Sequence, residues 1–218
     1  MICITGSTGF IGKNVMERFP DAKEYNHNDI LDLTSVDTVI HLACDADSRN
    51  SNKHVFKSVN DNTGIFSRVL DEAINKKVKR FIYVSSVEAE TDANIYCVCK
   101  YANEKILKIA AKEYGFEYVI LRPCNLYGPH MDLKDTGRNV VANFMRSLKE
   151  KTSMNILNNQ SYPFTYVGVL VDNIEASLTE NTNETIRVGS TLYIPLFDLA
   201  ALLEGMTKTW EWVKTQKT

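Results

Sequence analysis

Apolar positions fall into short continuous runs separated by longer stretches with helical spacing. Ile2, Cys3 and Ile4 open the chain as a run with β propensity, and Phe10, Ile11, Val15 and Phe19 then recur on one helix face. Residues 23–26 read as a short second strand, and TVIHLA at 38–43 as a buried parallel strand. A helix is expected over about 52–75, with Ile65, Val69 and Ala73 inward and Lys76–Lys77 at its polar end. RFIYV at 80–84 is the next buried strand and runs into Ser85-Ser86. A helix over about 96–114 follows from Ala102, Ile106, Ile109 and Ala110 at i, i+4, i+7 and i+8, with Gly115 as its C-terminal stop. The strand at 118–121 ends at Arg122-Pro123. Beyond it come a helix at 140–148, a short strand at 155–157, an apolar run at 166–171, a helix from Asp172 and a last helix around 196–205.

Strands alternating with helices define an α/β chain with a Rossmann-type doubly wound parallel sheet, and the irregular second half is expected to be a small C-terminal substrate lobe. The whole of 1–218 reads as one domain, with about 1–123 mainly cofactor-binding and about 124–218 mainly on the substrate side, the two interleaved. In such a sheet, sites form at the C-terminal ends of the strands. Those ends carry the turn at 6–12, Ala43 and Ser85-Ser86, so they converge on one crevice.

Gly6, Gly9 and Gly12 stand between the first strand and the first helix. Gly6 permits a tight turn, Gly9 leaves room for a pyrophosphate on the helix N-terminus, and Gly12 lets the helix pack closely. The spacing is GxxGxxG, so the triplet alone does not separate a dinucleotide site from an ordinary glycine turn. An NAD-preferring site carries an acid at the end of the second strand, where this chain has Asn26, His27 and Asn28. Lys13 is either a cation for a 2′-phosphate or a solvated first-turn lysine. The cofactor is therefore NADP or NAD, leaning to NADP.

Composition narrows the partners. A net charge of −2 gives no footprint for nucleic acid or an anionic membrane, and no run approaches a membrane span. With the first strand starting at residue 1, no signal peptide is expected. Five scattered cysteines, without a CxxC or matching His pair, indicate a reduced, cytoplasmic protein without a metal site.

The candidate catalytic residues are Ser86, Tyr96 and Lys100. A tyrosine and a lysine at i and i+4 share a helix face, so an ammonium can stand beside the phenol. An ammonium about 4 Å away at an effective dielectric of about 20 contributes about 4 kcal/mol, enough to bring a phenol of pKa about 10 toward neutrality. Tyr96 would then move a proton at a sugar hydroxyl that Ser86 holds. Chance alone supplies about one YxxxK in a chain of this composition, and there are two, Tyr96/Lys100 and Tyr101/Lys105. Tyr96 opens the helix nearest Ser85-Ser86; Tyr101 lies a turn deeper and reads as a packing or surface residue.

GSTGFIG at 6–12, DTVIHLA at 37–43, RFIYVSS at 80–86, YCVCKYANE at 96–104, LRPCNLYGP at 121–129 and VDNIEA at 171–176 occur in that order. Together they resemble the extended short-chain dehydrogenase/reductases, in the nucleoside-diphosphate-sugar epimerase/dehydratase branch, with Glu104 completing YxxxKxxxE. The resemblance implies that Gly6, Thr8, Gly9, Phe10, Ile11 and Gly12 face the pyrophosphate and that Asp29-Ile30 flank adenine. It implies that Leu42, Ala43, Ser85, Pro123 and Cys124 lie along the cofactor, and that Asn125 binds the substrate's diphosphate. Asn62 would join Ser86, Tyr96 and Lys100 in the catalytic set. A homodimer through a four-helix interface, formed by the helices carrying Asn62 and Tyr96, is also implied.

Departures from the pattern refine this. The stretch before TVIHLA is shortened, only nine residues separate Ser86 from Tyr96, and Val87-Glu88 replaces the Asp-Glu pair of 4,6-dehydratases. The family's arginine before the late strand is missing, and the C-terminal lobe is short. The expected activity is therefore NAD(P)-dependent reduction of a keto sugar nucleotide. The alternatives are a nucleotide-sugar 4-epimerase with tightly held NAD and a non-catalytic NAD(P)-binding sensor or scaffold.

Overall fold

The structure, a computed structural model, describes residues 1–26, 30–48, 50–134, 139–154, 156, 158–180 and 182–215. The first half runs β1 (Ile2–Thr5), α1 (Phe10–Arg18), β2 (Lys23–Tyr25), β3 (Thr38–His41), α2 (Val55–Val59), α3 (Ile65–Asn75), β4 (Arg80–Val84), α4 (Ile95–Tyr114) and β5 (Glu117–Pro123). After these come β6 (Leu126–Tyr127), α5 (Val140–Glu150), β7 (Ser161–Pro163), β8 (Thr165–Tyr166), α6 (Val167–Ala176), β9 (Glu184–Val188), β10 (Tyr193–Pro195) and α7 (Leu196–Thr215).

Six strands form one sheet in the order β2-β1-β3-β4-β5-β9, and every pairing in it is parallel. Side chains alternate between its two faces. Cys3, Val39, Phe81, Tyr83 and Ile120 pack under Phe66, Val69 and Leu70 of α3 and Leu107 of α4. Ile4, Ile40, Ile82, Val84, Val119 and Leu121 pack on the other side under Val15 of α1 and Leu170, Val171 and Ile174 of α6. Burial on both faces is why these strands are continuous apolar runs. Part of the second half thus belongs to the sheet, through β9 and α6. The rest packs around Val141, Phe144, Phe164, Leu196 and Leu199, beside two-stranded sheets formed by β6 with β8 and β7 with β10.

Between α2 and α3 the helical path widens into one π-turn, Asn60–Gly64, which puts Asn62 inside at 2% exposure. Helix α4 begins at Asn94, whose side chain accepts from Cys97 N, and stops at Gly115 in the left-handed region.

Three expectations change. The inward face of α4 is Cys97, Cys99, Lys100, Asn103, Glu104, Leu107, Ala110 and Ala111, so Ala110 is inward as expected, whereas Ile106 and Ile109 are exposed. Polar side chains that make interior hydrogen bonds occupy positions that hydropathy assigns to solvent. Helix α6 starts at Val167, so the apolar run at 166–171 is its first turns. Val167, Leu170, Val171 and Ile174 are its buried stripe. Helix α7 runs on past 205. The short strand expected at 155–157 falls partly outside the described residues.

Candidate active site

The strand order reverses between β1 and β3, and a cleft of about 510 Å³ opens there at the C-terminal ends of the strands. Its walls are Gly6, Thr8 and Gly9 of the turn, Tyr25-Asn26 after β2, and Leu42, Ala43, Cys44 and Asp45 after β3. Lys57, Asp61, Ile65 and Arg68 close it from the α2–α3 side.

Backbone contacts fix the turn. Gly6 has φ +74°, and a Cβ there would stand 2.8 Å from Ala43 N. A Cβ on Gly12 would stand 2.1 Å from Gly6 O, so Gly12 brings α1 onto the turn itself. Gly9 heads α1 with no side-chain cap. The first-turn N–H groups therefore lack a side-chain acceptor at the helix end that Gly9 brings to the cleft wall. Ser7 and Thr8 hydroxyls donate to Asn26 Oδ1 at 3.0 and 3.4 Å, tying the turn to the end of β2.

The second cluster sits where β4 meets α4. Lys100 is 3% exposed; its Nζ donates to Val84 O at 2.9 Å and lies 5.6 Å from the Tyr96 ring centre and 5.0 Å from that of Tyr83. The cluster stands at the C-terminal end of β4, the strand beside β3, whose end carries Cys44 of the cleft wall; Ser86, Tyr96 and Lys100 are not themselves part of that wall. Ser86 Oγ accepts from Glu88 N at 3.1 Å, leaving its proton to donate elsewhere. Burial pushes the Tyr96 phenol above its ordinary value, and Lys100 offsets only part of that. The ammonium alone does not acidify the phenol, which corrects the expectation from i, i+4 spacing. Desolvation of the buried phenolate outweighs the attraction of the ammonium.

Under the cleft, Thr5 Oγ1 accepts from Leu42 N and Ala43 N, so its proton goes to His41 Nδ1 at 2.9 Å. The imidazole proton is then on Nε2, which has no partner. Burial lowers the pKa of His41 to about 3, with Lys100 adding to the effect. This ring is a neutral core group.

Gly6, Thr8, Gly9, Leu42 and Ala43 line the cleft, and Phe10 and Ile11, in the first turn of α1, are not part of its wall. Pro123 and Cys124 are buried at the end of β5, with Cys124 Sγ 3.0 Å from Thr165 Oγ1. Lys13 is exposed and is not part of the cleft wall. Ile30 is 95% exposed and also off the wall; Asp29 lies outside the described residues. Ser85 turns its hydroxyl into the interior, onto Glu104. Asn62 is buried behind the wall: Nδ2 donates to Ser58 O and Oδ1 has no partner. Asn125 gives an amide hydrogen to Pro163 O at 2.8 Å, joining β5 to β7. The second YxxxK is a surface feature, with Lys105 Nζ 4.8 Å from the centre of the exposed Tyr101 ring.

Sequence reasoning missed Cys44, Asp45, Lys57, Asp61, Ile65 and Arg68. Cys44 and Asp45 were within reach, because they directly follow a strand end. Lys57 and Asp61 are an i, i+4 ion pair, and Lys57 also pairs with Asp45 at 2.8 Å. Nothing in one dimension marks Arg68. Among the described residues no cluster of three or more His, Cys, Asp or Glu could hold a metal, the cysteines are free, and no helix is long and apolar enough to cross a membrane.

A profile of the NAD dependent epimerase/dehydratase family matches residues 22–189. The chain is 24% identical over 250 residues to a putative UDP-glucose 4-epimerase of Methanocaldococcus jannaschii, covering 91% of this chain and 81% of that protein. Among solved structures it is similar to UDP-glucose 4-epimerase of Thermotoga maritima with UDP-glucose, with TM-score 0.87 and 25% identity over 95% of this chain and 82% of that one. It is also similar to UDP-glucuronic acid 4-epimerase of Bacillus cereus, solved with UDP-glucuronic acid and NAD, with TM-score 0.81 and 20% identity over 95% and 83%.

Proposed function

The chain belongs to the NAD dependent epimerase/dehydratase family, and on that premise we propose that it is a nucleotide-sugar 4-epimerase acting through Tyr96, Lys100 and Ser86. The observation that carries this reading is the Tyr96–Lys100 pair at the C-terminal end of β4, beside the strand end that walls the cleft.

The cleft suits NAD. Gly9 lines it, and the uncapped α1 N-terminus provides donors for a diphosphate. Tyr25, Asn26, Ile65 and Arg68 would hold the adenosine end, and Cys44 with Tyr96 would border the other. The chemistry supplied by the bound dinucleotide is reversible hydride acceptance. Lys13, the cation expected for a 2′-phosphate, is off the cleft wall. With NAD in the Bacillus cereus neighbour, NAD is favoured over NADP.

Tyr96 moves the proton. With its pKa raised by burial, the phenol is protonated at neutral pH and loses its proton only when further positive charge stands beside it. Lys100, held on Val84 O, keeps one charge there throughout. Ser86, its lone pair taken by Glu88 N, donates to the same sugar oxygen and fixes it for the exchange. The described relatives are epimerases, which favours this alternative over the keto-sugar reductase expected from the short lobe. Five free cysteines fit a cytoplasmic setting. A homodimer through α2–α3 and α4, which pack side by side, is part of the proposal; Phe56, Val59, Val98 and Ile109 expose apolar surface along them.

The test is incubation of the purified protein with UDP-glucose and no added cofactor, with chromatography of the products. UDP-galactose at constant nicotinamide absorbance is expected. Stoichiometric consumption of added NADH or NADPH would mark a reductase instead. NAD binding without turnover of any nucleotide sugar would mark a sensor.

A further inference from the structure

We propose that Glu104 is a positioning residue: one buried carboxylate that sets the place of Ser86 relative to Tyr96 by tying together the segments that carry them. Glu104 is 1% exposed. Its Oε1 accepts from Ser85 Oγ at 2.5 Å and from Arg122 Nε at 2.9 Å, and its Oε2 from Arg122 Nη2 at 2.5 Å. Arg122 Nη1 reaches on to Glu90 at 2.5 Å, at the end of the short 3-10 turn that Ser86 caps. Four segments meet at this carboxylate and its partner: the end of β4, that turn, α4 and the end of β5.

Each segment abuts a functional group. Ser85 precedes Ser86 and Arg122 precedes Pro123. Glu104 follows Tyr96 and Lys100 at i+8 and i+4, on the same face of α4. Lys100 on Val84 O and Glu104 on Ser85 Oγ therefore pin successive turns of the helix to successive residues of the strand. Both links are charge-assisted and directional. Packing is the weaker explanation, because a buried ion pair is often no better for stability than apolar residues of the same volume. What it adds is direction: the Arg122 fork fixes the carboxylate plane, and the plane fixes Ser85 Oγ.

This role rests on the proton-transfer reading of Tyr96. It is tested with Ser85→Ala, which removes one link and keeps the Glu104–Arg122 pair, alongside Glu104→Gln, which removes the charge and risks misfolding. UDP-glucose turnover across pH, retained NAD and melting temperature are measured. The ionisation of Tyr96 is followed by tyrosinate absorbance in the NAD-loaded protein, as the difference from Tyr96→Phe. Because a displacement of about 1 Å costs about 100-fold in rate, Ser85→Ala is expected to lower kcat by about 10- to 100-fold. KM and NAD content should stay within about twofold, and the Tyr96 ionisation and the pH profile should both move. Variants that only melt earlier, with unchanged kcat per NAD-loaded molecule and unchanged Tyr96 ionisation, would overturn the proposal. If the wild-type protein turns over no UDP-glucose yet Ser85→Ala still moves the Tyr96 ionisation, the epimerase reading fails and the positioning role stands.

Discussion

The first half of the chain and the small core of its second half use their residues differently. In the first half, packing and site chemistry share the same atoms: β4 is buried at every position and delivers Ser86, and α4 turns Lys100 and Glu104 inward. The glycine turn is pressed against Ala43. In the lobe, the small core around Phe144 and Leu199 holds the helices together, while α7 leaves Leu202, Met206 and Trp212 exposed. The difference teaches where the molecule has slack. Substitutions at the sheet's C-terminal edge should change chemistry and stability together, whereas those on α7 should touch stability alone.

The largest effect should come from Tyr96→Phe. Removing the phenolic proton carrier should lower UDP-glucose epimerisation by about 10²–10⁴-fold with the fold intact by circular dichroism. Next is Gly6→Ala, which forces φ +74° on an L-residue and drives a Cβ to 2.8 Å from Ala43 N. It should cost about 1–3 kcal/mol in urea unfolding and reduce the NAD retained on purification.

A third test uses His41. Its pKa is lowered from 6.5 to about 3 by burial, so above pH 6.5 the ring is neutral in both states and contributes nothing. As pH falls from 6.5 toward 3, the unfolded chain takes up a proton that the folded chain refuses, and stability drops. At pH 5 the loss is on the order of 2 kcal/mol relative to pH 7. His41→Asn should remove that difference, whatever it costs at pH 7. The smallest effect belongs to the lobe: a Cβ on Gly205 meets nothing within 4 Å. Gly205→Ala in α7 should therefore stabilise by up to about 1 kcal/mol, with turnover unchanged. A turnover defect there would erase the contrast between the two regions.

Much of the sheet was legible in one dimension, because strands buried on both faces have no choice but apolar runs, and Gly115 ends α4 where expected. The inner face of α4 was not. Lys100, Asn103 and Glu104 look solvent-facing until their partners Val84 O, Tyr83 and Arg122 are in place. Helix α6 hid for the opposite reason: TYVGVLV is apolar nearly all round, so its first turns look like a strand. The glycine turn and Ser86/Tyr96/Lys100 were singled out by motifs occurring in one order, since spacing alone left each of them open. Lys57 and Arg68 were not, since only the crossing from β3 to α3 brings them to the cleft.

The account is tested most directly by following nicotinamide absorbance during the first turnover with UDP-glucose, for the wild-type protein and Tyr96→Phe side by side. It expects a transient rise that returns to baseline in the wild type and no rise in the variant. A variant matching the wild type in rate and amplitude would contradict it.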